Sequence, residues 1–205
     1  MLEVSGLEVM RGDHRLFTDM SFSLQGGELL RLRGSNGSGK TSLLRTVCGL
    51  LEPSQGEVLW KGKNIHSQRD EFNGSLTYLG HHNGIKAELT GFENLRLSSA
   101  LGGKAIPDDR IYEALETIGL GGREDLPTQV LSQGQKRRVA LARLLLSDAD
   151  LWVLDEPFTA LDVKAVAMLS GLIEGHLQKG RMVMLTTHQE VAIRAGEVRE
   201  VDLDG

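Results

Sequence analysis

Apolar positions change their spacing along the chain. In LEVSGLEVMRG and MSFSLQGGELLRL, near the start, apolar and polar residues alternate. That period of two predicts half-buried strands in an antiparallel arrangement. Short, fully apolar runs then end in glycine or polar residues. ELLRLRGSNGSGKTSLLRTVCGLL reads as strand, glycine loop and helix; DADLWVLDEP reads as a buried strand ending in two acids; RMVMLTTH reads as another buried strand. Strands leading through glycine turns into helices predict an α/β fold. Between about 85 and 132 the period lengthens. LTGFENLRLSSAL carries a capping box, Thr90 and Glu93, ahead of a helix, and Ile111, Ala114, Leu115 and Ile118 line one helix face before GLGGREDLP breaks the pattern. The expected organisation is one domain, 1–205. Segments 1–84 and 133–205 form the α/β core, with an antiparallel N-terminal part, and 85–132 is an inserted helical subdomain.

Composition narrows the function. Among 205 residues, 40% are apolar and 25% charged, as in ordinary globular proteins. The net charge of −5 gives no electrostatic footprint for nucleic acid. One cysteine, Cys48, excludes a disulfide framework and fits a reducing compartment. MLEVSGLEVMRGD lacks the apolar run of a signal peptide, and no stretch reaches the roughly 18 apolar residues of a membrane span. A membrane role is therefore expected to pass through a partner.

The chemistry concentrates in a few segments. GSNGSGKT supplies Gly34, Ser35, Asn36, Gly37, Ser38, Gly39, Lys40 and Thr41 between a strand and a helix. That pattern wraps backbone N–H groups around phosphate, brings Lys40 to the β- and γ-phosphates and offers the Thr41 hydroxyl to Mg²⁺. Asp155 suits an indirect Mg²⁺ contact and Glu156 a general base acting on water. A glycine-rich turn or an acidic strand end means little alone; together they point to ATP and Mg²⁺. LSQGQKRRVALARLLL adds a second anion device: Ser132 and Gln135 form a capping box with Gly134 beside it at a helix N-terminus.

LSQGQ resembles the LSGGQ signature of the ATP-binding-cassette (ABC) ATPases, with Gln133 at the first glycine. GSNGSGKT, LWVLDEP, TALD and TTH stand around it in that family's order. The resemblance covers essentially the whole chain and implies a P-loop NTPase core and ATP hydrolysis. It also implies a head-to-tail homodimer, in which the signature of one subunit caps ATP on the other's phosphate loop. By motif, Asp162 falls at the dimer seam, and His188 contacts the γ-phosphate and the attacking water.

Two positions depart from the family. Upstream of the phosphate loop no aromatic residue stands where adenine is usually stacked; Arg11 holds about that place, and a guanidinium plane can stack on a base. In YLGHHNG, His81 falls where the family carries a glutamine that contacts Mg²⁺ and water. Three readings stay open for His81 and His82: a metal site, an exposed loop, or His81 in the glutamine's role with His82 facing solvent. Adjacent residues of an extended segment point opposite ways, which argues against shared metal binding. VLWKGKNI, YLGHHNGIK, LTGFENL and WVLDEPFTALD further resemble the branch of the family that serves cytochrome c maturation. That implies integral inner-membrane haem-handling subunits as partners and a peripheral position on the cytoplasmic face. Rivals are a cassette exporting another substrate, such as a lipid or drug, and a soluble non-transport cassette. No N-K-x-D motif supports a GTPase.

Overall fold

The structure is a computed structural model, and it describes residues 1–103, 105–194 and 197–204. In chain order the elements are β1 (Leu2–Arg11), β2 (His14–Leu24), β3 (Glu28–Arg33), α1 (Lys40–Val47), β4 (Gln55–Trp60), β5 (Lys63–Asn64), α2 (Arg69–Gly74), β6 (Leu76–Leu79), α3 (Gly91–Leu101) and α4 (Asp108–Thr117). A short 3₁₀ turn (Thr128–Val130), α5 (Gln133–Leu145), β7 (Leu151–Asp155), α6 (Val163–Gln178), β8 (Met182–Thr186) and β9 (Glu197–Asp202) follow. They form two compact units. One comprises Met1–Tyr78, Ala149–Pro157 and the segment from Ile173 onward; the other comprises Leu79–Asp148 and Phe158–Leu172.

The first unit holds both sheets. A four-stranded sheet runs β2-β1-β4-β5, and β1 pairs antiparallel with both β2 and β4. A five-stranded sheet runs β6-β7-β8-β3-β9, with β7 parallel to β8 and β3 parallel to both β8 and β9. Every residue of β7 and β8 is buried, as central parallel strands require. One apolar cluster joins the sheets: Leu2, Val4 and Val9 of β1, Leu30 and Leu32 of β3, Leu43 and Leu44 of α1, and Val153 of β7. Each such side chain contributes about 1.5–3 kcal/mol by leaving water. This packing fixes the helix that opens directly after the glycine loop.

The second unit is helical. Leu95 of α3, Ile111 and Leu115 of α4, and Val139 and Ala142 of α5 share one cluster. Both capping boxes read from the sequence are present, at Thr90–Glu93 and Ser132–Gln135. The buried Asn94 side chain bonds the backbone of Lys86 through both its oxygen and its nitrogen, at 2.7 and 3.0 Å, and so fixes the segment ahead of α3. The helix α5, expected with the nucleotide-binding core from residue 133 onward, packs with α3 and α4, because its apolar face completes their cluster.

In the first unit His176 is 3% exposed and stacks on Trp152 with ring centroids 3.7 Å apart. Burial, helped by the Arg181 cation, lowers its pKa from 6.5 to about 4. The unfolded chain therefore binds more protons between those values. The neutral ring's contribution, up to about 3 kcal/mol, is complete above pH 6.5 and is lost as the pH falls toward 4. Urea midpoints measured at pH 7.5 and 5.0 should separate in the native protein, and the separation should shrink in His176→Phe.

Candidate active site

The β3 strand delivers the chain into the glycine loop at the carboxyl edge of the five-stranded sheet. Gly34 has φ 140°, and a Cβ there would lie 2.5 Å from Ser38 Oγ, so only glycine fits. Gly37 and Gly39 also take positive φ, at 92° and 101°. Asn36 and Gly37 are exposed at the tip. The cap residue of α1, Gly39, makes no side-chain cap, and no acid stands in the first turn. The helix therefore presents its N-terminal N–H groups and positive dipole end to an anion. Lys40 Nζ folds over the loop and donates to the carbonyls of Gly34 and Ser35 at 2.7 and 2.8 Å.

The β7 strand brings in the acids. Asp155 is 2% exposed; its Oδ2 accepts from Thr41 Oγ1 at 2.9 Å and its Oδ1 from Thr186 Oγ1 at 2.8 Å. The Thr186 hydroxyl in turn accepts the Glu156 N–H at 2.9 Å. Glu156 adopts φ 48°, a costly backbone for a non-glycine residue, and the Thr186 bond helps to hold it there. Its carboxylate lies 3.4 Å from His188 Nε2 and also receives the His188 N–H at 3.4 Å. A cleft of about 240 Å³ lined by Gly34, Lys40, Thr187 and His188 opens at this edge. Thr41 and Asp155 set a hydroxyl and a carboxylate oxygen side by side, a donor set suited to a hard divalent cation such as Mg²⁺. The arrangement thus offers an anion cradle, a cation position and a carboxylate able to take a proton.

The other sequence-predicted residues are distributed differently. Arg11 is exposed at the end of β1, paired with His14 across the hairpin. A Cβ on Gly39 would come within 3.2 Å of the side chains of Leu16 and Phe17. Ser132, Gly134, Gln135, Asp162 and His81 lie in the helical unit. There Ser132 Oγ accepts the Gln135 N–H at 3.2 Å. A Cβ on Gly134 would come within 2.9 Å of the Ala160 carbonyl, so the backbone at the start of α5 stays bare. Asp162 accepts from the Ala165 N–H at 2.8 Å and from Arg138 at 3.2 Å. His81 and His82 are both exposed, with rings edge to face at 5.5 Å. The chain bends at these residues, so the alternation expected of an extended segment does not apply and the two rings share a side. Arg137, 4% exposed, holds this bend by donating to the Gly80 carbonyl and to Asn83 Oδ1, both at 3.2 Å.

The ABC transporter family model matches residues 17–159, which include the glycine loop, the Ser132 helix and the Asp155–Glu156 pair. The chain belongs to the ABC transporter family. It is 57% identical to the cytochrome c biogenesis ATP-binding export protein CcmA of Dechloromonas aromatica, over 99% of this chain and all of that one. To the protein of that name in Nitrosospira multiformis it is 52% identical, over 98% of each. The solved ATP-binding subunit of an ABC transporter, 28% identical, superposes with a TM-score of 0.83 over 92% of this chain and 79% of that one. A dimeric ATP-binding cassette bound to ADP and Pi, 22% identical, gives 0.85 over 98% and 94% and shares the fold.

Within this cassette, three partners of the site were missed by sequence reading. Thr186 was seen only as part of TTH, yet it binds both acids. Asp204 accepts from Ser35 N and Ser35 Oγ at 2.7 and 2.9 Å, bracing the start of the loop. Arg137 fixes the His81 bend. No local signal marks these contacts; a threonine ending an apolar strand next to the acid strand is the nearest to one. Thr186→Val keeps the shape but removes one partner from the buried Asp155 carboxylate and one from the half-buried Glu156 N–H. Such losses cost about 1–3 kcal/mol. Urea unfolding of Thr186→Val should give a free energy lower by that amount, and an unchanged midpoint would contradict the assigned bonds.

Proposed function

We propose that this chain is the ATP-hydrolysing subunit of an inner-membrane ABC complex that exports or handles haem in c-type cytochrome maturation. Hydrolysis changes the conformation of integral partners and drives release of a haem-loaded chaperone. Near-full-length identity to proteins named for cytochrome c biogenesis export supports the biological role. Among the described residues no helix is long and apolar enough to cross a membrane, consistent with a peripheral subunit held on the cytoplasmic face by its partners.

One observation carries the hydrolytic reading: the Glu156 carboxylate, 17% exposed, stands next to Asp155 and within 3.4 Å of His188 at the edge that bears the glycine loop. The triphosphate of ATP lies along the N–H groups of Gly34–Thr41, and Lys40 exchanges its loop carbonyls for the β- and γ-phosphates. Mg²⁺, when bound, neutralises charge between those phosphates, and Thr41 and Asp155 are the residues that would hold it. Glu156 takes the proton of the attacking water, and His188 orients the water against the γ-phosphate. Arg11 stacks on adenine. His81, when neutral, offers an acceptor nitrogen in the place of the family's glutamine. Two copies pair head to tail, so that Ser132, Gly134 and Gln135 of each cap the other's ATP, with Asp162 at the seam. The dimeric neighbour supports this assembly.

Glu156→Gln should bind ATP but hydrolyse it roughly 10²–10⁴-fold more slowly, the usual weight of a general base. With ATP retained, dimers should accumulate on a sizing column. Near-normal turnover would remove Glu156 from its role. For the biological role, the tagged native chain recovered from membranes should bring integral haem-handling proteins with it. Recovery with the membrane subunits of a lipid or drug exporter would overturn the haem assignment and leave the ATPase intact.

A further inference from the structure

The middle of β3 carries an arginine where the neighbouring residues are core. Leu30 and Leu32 enter the main apolar cluster, and Leu29 is fully buried. The Arg31 side chain is only 14% exposed, in a strand flanked on both sides by parallel neighbours, β8 and β9. A cation so placed is costly unless its protons are used. The Arg31 guanidinium donates to the Val191 carbonyl at 3.2 Å and lies 3.6 Å from Glu200, a carboxylate it shares with Arg33 at 2.8 Å.

Val191 belongs to the irregular segment that follows β8 and carries His188. Along this segment Arg194 N donates to Glu174 Oε1 at 2.7 Å at its far end, Thr187 and Gln189 bond each other, and the His188 N–H reaches Glu156 at 3.4 Å. Arg31 is its anchor three residues beyond His188, and it stands three residues ahead of Gly34 on the strand that feeds the phosphate loop. Together with the β3–β8 pairing of Leu32 with Thr186, two residues ahead of His188, Arg31 therefore ties the His188 segment to the strand that feeds the phosphate loop.

We propose that Arg31 is a positioning residue that holds the 187–191 segment so that His188 stays against Glu156. The proposal rests on the hydrolytic reading above and adds to it a residue outside the phosphate loop, on the wall of the same cleft. Misplacing a reacting group by about an ångström can cost up to roughly a hundredfold in rate. Arg31→Met, which cannot bond Val191, should lower kcat about tenfold or more while leaving the KM for ATP within about twofold. Arg31→Gln keeps an N–H for the Val191 carbonyl and should recover most of that loss. In a His188→Ala background, Arg31→Met should cause no further loss, because its effect passes through His188. Thermal melts of each variant accompany the kinetics. Unchanged kcat in Arg31→Met, Gln as impaired as Met, multiplied losses in the double variant, or failure of both Met and Gln to fold would each overturn the proposal. A native protein without ATPase activity, or His188→Ala indistinguishable from it, would instead overturn the hydrolytic reading.

Discussion

The Asp155 carboxylate ends β7 almost wholly out of water, and hydroxyls from two other elements, Thr41 of α1 and Thr186 of β8, occupy one oxygen each. An ionised carboxylate buried without partners would cost several kcal/mol. These two bonds offset that cost and at the same time tie the phosphate loop's helix and both central strands to one point. The sheet order makes this possible. With β8 between β7 and β3, the carboxyl ends of three parallel strands present the acids, His188 and the glycine loop along one edge, where open α/β sheets bind their ligands.

Around that point the backbone is held in conformations that need support. Positive φ at Glu156 costs on the order of 1–3 kcal/mol, and the same Thr186 hydroxyl that serves Asp155 receives the Glu156 N–H. Gly34 sits too close to Ser38 for any side chain. Asp204 and Arg31 reach the two flanks of the loop, one bonding Ser35 and the other the segment after His188. The helical unit follows the same logic at lower charge density. A capping box sets the start of α5, and Arg137, one turn on, holds the His81 bend. The residues assigned to phosphate chemistry thus stand on a scaffold of polar contacts that join distant parts of the chain.

What the sequence made legible was local. The glycine loop, both capping boxes, the apolar strands ending in DE and TTH, and the helix face at Ile111, Ala114, Leu115 and Ile118 each depend on residues a few positions apart, so spacing alone reveals them. Contacts that escaped span long stretches of chain. Ser35 meets Asp204 across 169 positions and Arg31 meets Val191 across 160, and no period links such pairs. The grouping of α5 with α3 and α4 escaped for a related reason: its motif resembles a nucleotide signature, while its apolar face answers to Leu95 and Leu115. The bend at His81 and His82 overrode the alternation of an extended strand because Arg137 draws in the carbonyl of Gly80.

In the proposed mechanism Thr41 and Asp155 are the residues that would hold the cation. Calorimetric titration of ATP into the native protein and into Asp155→Asn, each with and without Mg²⁺, probes that role. The amide keeps the shape and can still bond a threonine, but it loses the charge a cation requires. Mg²⁺ should strengthen ATP binding to the native protein, and Asp155→Asn should bind metal-free ATP at least as well yet lose the Mg²⁺ increment. An equal Mg²⁺ increment in both proteins would contradict it.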